Sequence, residues 1–184
     1  MSGPAGLVLA AGAGRRFGSA KALATYQGER LVDRAIRLLR DGGCRPVIVV
    51  AGAAALDVDG ADVVDNPDWS TGMGSSLRCG LAAVTADAVV VVPVDTPWLG
   101  AESVRRVIGA YDAGAALVTA TYDGAQRHPV LLTQKHFADI TRLAVGDRGA
   151  RPYLRAHSDE VVEVRCDDTG SPDDVDTPAD LRPC

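Results

Sequence analysis

The sequence lacks several features that would each assign it to a particular class of protein. Aromatic residues make up only 4% of its 184 residues. No apolar run approaches the roughly 20 residues of a bilayer-spanning helix, and nothing at the N-terminus resembles a signal peptide. No CxxC pair indicates a disulfide framework or a structural zinc site. The cysteines are scattered at Cys44, Cys79, Cys166 and Cys184. These absences predict a cytoplasmic protein that does not enter a membrane.

The charge balance excludes one class of partner. The formal net charge is -5 at pH 7, whereas a protein that binds a nucleic-acid backbone is expected to present a basic face. A small anionic substrate stays compatible with this charge, because a few arginines or lysines can dominate the field inside a cleft. With 47% hydrophobic residues, the chain is expected to form a single domain over residues 1–184, with a core of alanine, valine and leucine.

Short apolar runs alternate with helical periodicity along the chain. Strands are predicted at residues 7–11, 46–51, 62–64, 88–92, 117–121, 129–132 and 161–164. Helices are predicted at residues 31–40, 75–84, 102–111, 135–144 and 150–156. Repeated strand–helix–strand units predict a three-layer, Rossmann-like α/β fold, in which helices cover both faces of a mostly parallel sheet. The Asp123-Gly124 turn predicts a hairpin, and hence a small antiparallel excursion at one edge.

A glycine-rich loop with nearby cations follows the first predicted strand. Residues 9–18 read LAAGAGRRFG, and Lys21 comes shortly after them. Ligands in open α/β sheets bind beyond the carboxyl ends of the strands, and glycines let backbone N–H groups approach phosphate oxygens. Arg16 and Lys21 would offset the charge of a triphosphate. The loop therefore predicts a nucleotide-binding site that includes Leu9, Ala10, Ala11, Gly12 and Gly14.

Other patterns fit this loop less well. A dinucleotide-binding Rossmann loop needs an acidic residue at the end of the second strand to hold the ribose, and residues 47–52, VIVVAG, supply none. No tyrosine begins the Tyr-x-x-x-Lys pair familiar from such dehydrogenases. The GxxxxGK[ST] pattern of a P-loop is also missing. A tight structural turn with solvated cations stays open as the alternative for this loop taken alone.

A second candidate feature follows the most apolar strand. Residues 93–97, PVDTP, put Asp95 at the carboxyl edge of the sheet, beside the first loop. Mg²⁺ prefers one or two carboxylates, water and substrate phosphates, so Asp95 fits a magnesium ligand. Capping of the following helix is the competing interpretation. Near the C-terminus, Asp174 and Asp176 alternate on one face of an extended segment, where they either share a cation or belong to a solvated acidic tail.

Six motifs, in order along the chain, resemble those of the MobA-like nucleotidyltransferases, and most strongly those of the molybdenum cofactor cytidylyltransferase branch. Residues 9–21 resemble the family's LAAGxSxRMGxxK loop, and residues 66–77 resemble its N-P…GM-x-x-S-L segment. PVDTP at 93–97 lies where the family has CDMP or similar, and HPVL at 128–131 resembles its GHPVLF. GDRGAR at 146–151 matches GDxGAR, and DVDTPADL at 174–181 matches DIDTPEDL. Arg127 departs from the family pattern, in which a glycine precedes the histidine, as do Thr96 and Phe17, which each replace a methionine.

The resemblance implies a role for each matching residue. The catalytic residues would be Arg16, Lys21 and Asp95. Ser76 and the backbone of residues 9–11 would recognise the base, with Asn66 in the same nucleotide-binding segment. The ligands of Mg²⁺ would be Asp95 and Asp176. The acceptor-binding residues would be His128, Asp147 and Arg151. Arg127 departs from the pattern and is expected to bind the acceptor on its own account, because its guanidinium can fork onto an anionic phosphate ester.

The implied reaction transfers CMP from CTP to the phosphate of molybdopterin or molybdenum cofactor and releases pyrophosphate. The attacking phosphate is already ionised near neutral pH, so no general base is needed. Ala11 favours cytosine, because guanylyl-transferring relatives tend to have LAGG where this chain has LAAG. A molybdoenzyme or its chaperone is the implied partner that receives the product. Transfer from CTP or GTP to another phosphorylated metabolite stays open, as does a non-catalytic chaperone that delivers the cofactor.

Overall fold

The chain forms a seven-stranded sheet between two layers of helices, and the computed structural model describes residues 3–181. Cys184 lies outside the described residues. The strands are β1 (Ala5–Leu9), β2 (Thr25–Tyr26), β3 (Glu29–Arg30), β4 (Val47–Ala51), β5 (Asp62–Asp65), β6 (Ala88–Pro93), β7 (Leu117–Tyr122), β8 (Ala125–Thr133) and β9 (Val161–Arg165). The α-helices are α1 (Leu31–Asp41), α2 (Met73–Ala83), α3 (Ala101–Asp112), α4 (Phe137–Leu143) and α5 (Arg151–Ala156).

The sheet is mostly parallel, which confirms the predicted fold class. Its strand order is β5-β4-β1-β6-β8-β7-β9. Strand β1 runs parallel to both β4 and β6, and β9 runs parallel to β7, whereas β8 is antiparallel to β6 and β7. Because β1 and β6 are neighbours, the loops that leave their carboxyl ends emerge side by side at one edge of the sheet.

The predicted hairpin forms, but it lies inside the sheet rather than at its edge. Strand β8 is inserted between β6 and β7, and β9 takes the outer position. The burial of each strand explains the arrangement. Residues 129–132 of β8 are all buried, so this stretch must be covered on both faces. Strand β9 has no buried residue, and it tolerates an edge.

Each face of the sheet carries its own hydrophobic core. On one face, α1 and α3 pack through Leu31, Leu39 and Val104 against Val8 and Val90. On the other, α2, α4 and α5 cover the alternate residues of the same strands. These helices contribute Leu77, Ile140 and Leu154 to the second core. The expected core of alanine, valine and leucine is confirmed, and small side chains let the helices lie close to the sheet.

Candidate active site

The loop that follows β1 is shaped by glycine. Gly14 has a φ of +61°, and a Cβ there would come within 2.0 Å of the carbonyl oxygen of Ser19, so no other residue fits. The N–H of Gly18 donates to the carbonyl of Gly14 at 2.8 Å and closes the turn. Within residues 3–181, no hydrogen bond engages the backbone N–H groups of residues 12–14. The loop therefore offers unbonded donors of the kind that bind phosphate oxygens.

Asp95 and Asp176 lie close together beside this loop, although 80 residues lie between them in the sequence. Asp95 follows the end of β6, and its carbonyl oxygen accepts a 2.8 Å hydrogen bond from the N–H of Val175. The Val175 side chain is fully buried. Burial of this one apolar residue anchors the C-terminal segment across the edge of the sheet, and Asp176 is carried with it.

Asp180 fixes the backbone around Asp176. Its carboxylate accepts hydrogen bonds from the N–H groups of Asp176 at 2.9 Å and Thr177 at 2.7 Å, at the start of the short 3₁₀ helix Pro178–Leu181. The bond from the Thr177 N–H, followed by that from Asp176, lowers the pKa of Asp180 below its ordinary value. The ionised form of Asp180 is thus the one that orders the segment.

Lys21 lies between the two carboxylates. Its Nζ donates to Oδ2 of Asp95 at 2.9 Å and to Oδ1 of Asp176 at 3.4 Å, and its side chain is only 15% exposed. Arg16 donates to the other oxygen of Asp176 at 2.9 Å, but its side chain is 78% exposed. A shielded lysine therefore contacts both acids, and a solvent-exposed arginine contacts Asp176 alone.

These groups line an open cleft of about 440 Å³, called here the main cleft. It holds most of the residues predicted to bind the nucleotide and the metal, namely Leu9, Ala11, Gly12, Gly14, Arg16, Lys21, Ser76, Asp95 and Asp176. Two of the predicted residues, Ala10 and Asn66, do not line it. The motifs that lie far apart in sequence are brought together at the carboxyl edge of β1 and β6.

Ala10 and Asn66 support the main cleft from behind. Ala10 is buried on the opposite face of the sheet, and its N–H donates to the carbonyl of Val50 at 3.0 Å. Asn66 is 4% exposed, and its amide donates to Ser75 Oγ at 2.9 Å and Ser76 Oγ at 3.1 Å. Asn66 therefore orients Ser76, which does line the cleft.

Trp69 and Met73 line the main cleft but were not identified from the sequence. Trp69 belongs to the 3₁₀ helix Trp69–Thr71. Trp69 is one of only two tryptophans and lies two residues after Asn66-Pro67. This position within a predicted nucleotide-binding segment was the signal that could have identified it. Gly52, after β4, must be small because a Cβ there would come within 2.5 Å of the Trp69 Cβ. Met73 begins α2 with its side chain 42% exposed, the exposure expected of a binding surface rather than a core.

A second cavity, called here the side pocket, adjoins the main cleft. It has a volume of about 180 Å³, and all four residues predicted to bind the acceptor line it: Arg127, His128, Asp147 and Arg151. Three residues line both cavities: Leu9, Met73 and Asp147. A molecule in the side pocket would therefore lie next to one in the main cleft.

The direction of His128 depends on an irregularity in β8. Thr119 of β7 pairs with Val130, yet the next residue, Ala120, pairs with Arg127, so His128 and Pro129 have no partners on β7. Such a bulge redirects a side chain out of the regular alternation. Burial lowers the pKa of His128 to about 4, and the charges of Arg151 and Arg127 act in the same sense. The imidazole is neutral at physiological pH.

Asp147 links the side pocket to the first turn of α2. Its Oδ1 accepts a weak 3.4 Å hydrogen bond from the N–H of Met73, at the positive end of the helix. Gly72 precedes the helix with a φ of +115°, and a Cβ there would come within 2.7 Å of the same oxygen. The glycine is therefore needed for the loop 146–149 to approach α2.

The donor set is suited to a hard divalent cation that also binds a substrate. Over residues 3–181, no group of three or more His, Cys, Asp or Glu side chains forms a protein-only metal cage. Mg²⁺ commonly uses one or two carboxylates and completes its shell with water and phosphate oxygens. Asp95 and Asp176 supply two carboxylates on an open cleft, which fits that mode of binding.

A hollow larger than the main cleft lies elsewhere on the surface and is less suited to a ligand. It measures about 740 Å³ and is bordered by arginines and aspartates of α1 and residues 57–59. These charges already pair across it. Arg30 forms two hydrogen bonds to Asp33 at 2.6 and 2.9 Å and a third to the carbonyl of Asp57 at 2.8 Å.

Among the described helices, none is long and apolar enough to cross a bilayer.

Comparison with known proteins assigns this arrangement to the nucleotidyltransferases. The model of the MobA-like NTP transferase domain matches residues 6–161. The chain is 35% identical to nicotine blue oxidoreductase of Paenarthrobacter nicotinovorans, over 94% of this chain and 91% of that protein. It is 25% identical to a probable molybdenum cofactor guanylyltransferase of Bacillus cytotoxicus, over 71% and 68% of the two chains.

Solved structures show the same fold. Rv0371c from Mycobacterium tuberculosis H37Rv superposes with a TM-score of 0.84 and 30% identity, covering 97% of this chain and 95% of that one. A second structure of Rv0371c, in complex with manganese, gives a TM-score of 0.73 and 26% identity over 89% and 88% of the two chains. The protein belongs to the MobA-like NTP transferase family.

Proposed function

We propose that this protein transfers CMP from CTP to the phosphate of a molybdopterin-type acceptor in the cytoplasm and releases pyrophosphate. The proposal depends above all on one observation. A lysine and two aspartates converge beside a glycine loop with unbonded N–H groups, in a cleft that is continuous with a second pocket. A two-substrate transfer needs this layout, with both substrates held side by side and charge stabilised where they react.

We assign the divalent cation to Asp95 and Asp176 and propose that it is Mg²⁺. When bound, the cation would stabilise negative charge on the substrate phosphates. The manganese complex of Rv0371c supports a divalent metal in this family. Lys21 lies between the two carboxylates, and its ammonium group would place positive charge beside the triphosphate.

The other residues position and neutralise the substrates. The N–H groups of residues 12–14 would hold phosphate oxygens, while Lys21 and the exposed Arg16 would offset the charge of the departing pyrophosphate. The acceptor phosphate attacks the α-phosphorus in line and is already ionised. Positioning and charge stabilisation therefore suffice, without a general base.

The preference for CTP rests on Ala11. This residue lines the main cleft, is 3% exposed, and has its Cβ 2.8 Å from where a Cβ on Gly52 would lie. The part of the main cleft beneath the base is therefore closely packed. The methyl group of Ala11 reduces the space for the base there, which disfavours a purine. Competition between equimolar CTP and GTP tests this preference, and preferential use of GTP would refute the Ala11 argument.

A second candidate is an oxidoreductase, which the 35% identity to nicotine blue oxidoreductase favours. In this function the main cleft would hold a reduced nicotinamide dinucleotide, and a hydride would pass from it to an electron-accepting ring in the side pocket. The end of β4 argues against it, because Ala51 and Gly52 offer no acidic side chain for a ribose.

The two candidates are separated by incubating the protein with α-labelled CTP, Mg²⁺ and molybdopterin, and separately with NADH or NADPH and a quinone. Pyrophosphate release that requires molybdopterin supports transfer, whereas acceptor-dependent loss of the nicotinamide absorbance supports reduction. Asp95→Asn and Asp176→Asn should abolish transfer. Asp174→Asn is the matched control, because Asp174 is exposed in the same segment and does not line the main cleft.

A further inference from the structure

The inner wall of the side pocket is apolar except for one residue. Leu77, Val91, Val130, Leu132 and Leu154 form most of it. The exception is Thr119, which lies on the same face of β7 as Leu117 and pairs with Val130 of β8. A polar group among buried leucines and valines is costly unless it forms a hydrogen bond.

The hydroxyl of Thr119 has no such bond within the protein. The residue is 1% exposed, and Oγ1 has no hydrogen-bond partner among residues 3–181. Valine has nearly the same shape, favours strands equally well and would carry no unpaired hydroxyl. An unpaired hydroxyl here is therefore costly, and a ligand in the side pocket can satisfy it. A change of χ1 rotamer moves the hydroxyl to another staggered position, from which it can reach a group inside the side pocket.

The rim of the side pocket has the opposite character. It carries three exposed arginines, Arg127, Arg148 and Arg151, against one carboxylate, Asp147. The excess of positive charge favours the anionic end of a ligand at the rim, on the side where Leu9, Met73 and Asp147 border the main cleft. The apolar end of that ligand would then point inward, toward Thr119.

The volume limits what the pocket can take. At about 180 Å³, it is slightly larger than engineered cavities of about 150 Å³ that bind benzene. One flat ring fits the interior, and only the polar atom that reaches Thr119 can be paired there.

We propose that Thr119 is a specificity-determining residue, whose hydroxyl hydrogen-bonds the single polar group at the inner edge of a ring that carries its anionic ester at the rim. The proposal rests on the proposed function in treating the side pocket as the acceptor site. For a pterin, which has two fused rings, the proposal requires that only one ring enters the interior and that the other polar edge atoms stay near Gln126, His128 and the arginines of the rim.

Two probes that differ in one hydroxyl test this assignment: benzyl phosphate and 4-hydroxybenzyl phosphate. Their affinities are measured by calorimetry without nucleotide, for the wild type and for Thr119→Val. Methyl NMR shifts of Leu77 and Leu132 verify that binding occurs in the side pocket. We expect the wild type to prefer the hydroxylated probe about tenfold, which corresponds to about 1.4 kcal/mol. Thr119→Val should lose this preference, and Thr119→Ser should restore it.

Three outcomes overturn the proposal. An equal hydroxyl preference in wild type and Thr119→Val would show that Thr119 does not contact the ligand, and failure of both probes to shift the pocket methyls would exclude the ligand class. A lower melting temperature for Thr119→Val would also overturn it, because the hydroxyl would then have a structural partner. None of these measurements uses CTP, so a failure of the transfer assay is distinguishable from a failure of this proposal.

Discussion

Replacing Lys21 by methionine should strengthen metal binding while it weakens nucleotide binding. The ammonium group contacts both carboxylates assigned to the metal, at 2.9 and 3.4 Å. A cation that enters between Asp95 and Asp176 must first break these contacts. Methionine keeps the length of the side chain but removes the charge, so the cation no longer has this competitor.

The size of the effect follows from the exposure of the groups. A hydrogen bond to a charged group contributes about 1.5–3 kcal/mol. The Lys21–Asp95 bond falls in that range because the two side chains are only 15% and 25% exposed, whereas the bond to the half-exposed Asp176 adds little. The lower end, about 1.5 kcal/mol, corresponds to a roughly tenfold lower dissociation constant for the metal.

The assay is a titration with Mn²⁺ in the absence of nucleotide, in which the free ion is quantified by its electron paramagnetic resonance signal. Lys135→Met is the matched control, because Lys135 is the only other lysine in the chain and is exposed on the surface, so the change in net charge is the same. CTP binding is measured through the fluorescence of Trp69 in a Trp98→Phe background. We expect Lys21→Met to weaken CTP binding, to raise the KM for CTP and to lower kcat.

A dissociation constant for Mn²⁺ in Lys21→Met that equals or exceeds the Lys135→Met value would refute this reasoning. The two carboxylates would then not hold the metal, or the ammonium group would not lie between them in solution. An unchanged affinity for CTP would separately refute the role of Lys21 in binding the triphosphate.

The other two predictions concern the side pocket. Arg127→Gly should raise the acceptor KM about tenfold and leave CTP binding unchanged. Among the described residues, the exposed guanidinium of Arg127 donates only to the neighbouring Gln126 carbonyl, so it can form a charge-assisted hydrogen bond to an anionic acceptor. An unchanged acceptor KM would make Arg127 an ordinary surface residue. The pKa of His128 is lowered to about 4 in the folded protein, whereas in the unfolded chain it is near 6.5. Between pH 6.5 and pH 4 the unfolded chain therefore binds more protons than the folded protein, and the free energy of unfolding falls as the pH falls. Urea unfolding should therefore show a smaller loss of stability from pH 7 to pH 4 in His128→Gln than in the wild type; equal losses would contradict the lowered pKa.

Local sequence patterns were enough to predict the fold class and much of the main cleft. The alternation of apolar runs with helical periods predicts a mostly parallel sheet, and in such a sheet the residues that follow buried strands meet at one edge. The glycine loop after β1 and Asp95 after β6 could be assigned in this way. The element bounds were less accurate, with β1 beginning and ending two residues earlier than predicted and β8 extending well beyond 129–132.

Features that depend on weak local signals were missed. The hairpin of β2 and β3 has two residues in each strand, too few for any periodicity to appear. Asn66 lies in a motif that resembles a nucleotide-binding segment, but nothing in the sequence shows that its amide is turned inward to Ser75 and Ser76.

The sequence by itself determined which residue types are available. It also determined that the loops after β1 and β6 lie at one edge of the sheet, because periodicity and turn chemistry are properties of neighbouring residues. The tertiary structure decided which distant groups meet. Burial of Val175 carries Asp176 to Asp95, and the insertion of β8 between β6 and β7 brings His128 and Thr119 to one pocket. These outcomes depend on how whole surfaces pack against each other, since no local pattern records which buried position a valine or a strand will fill.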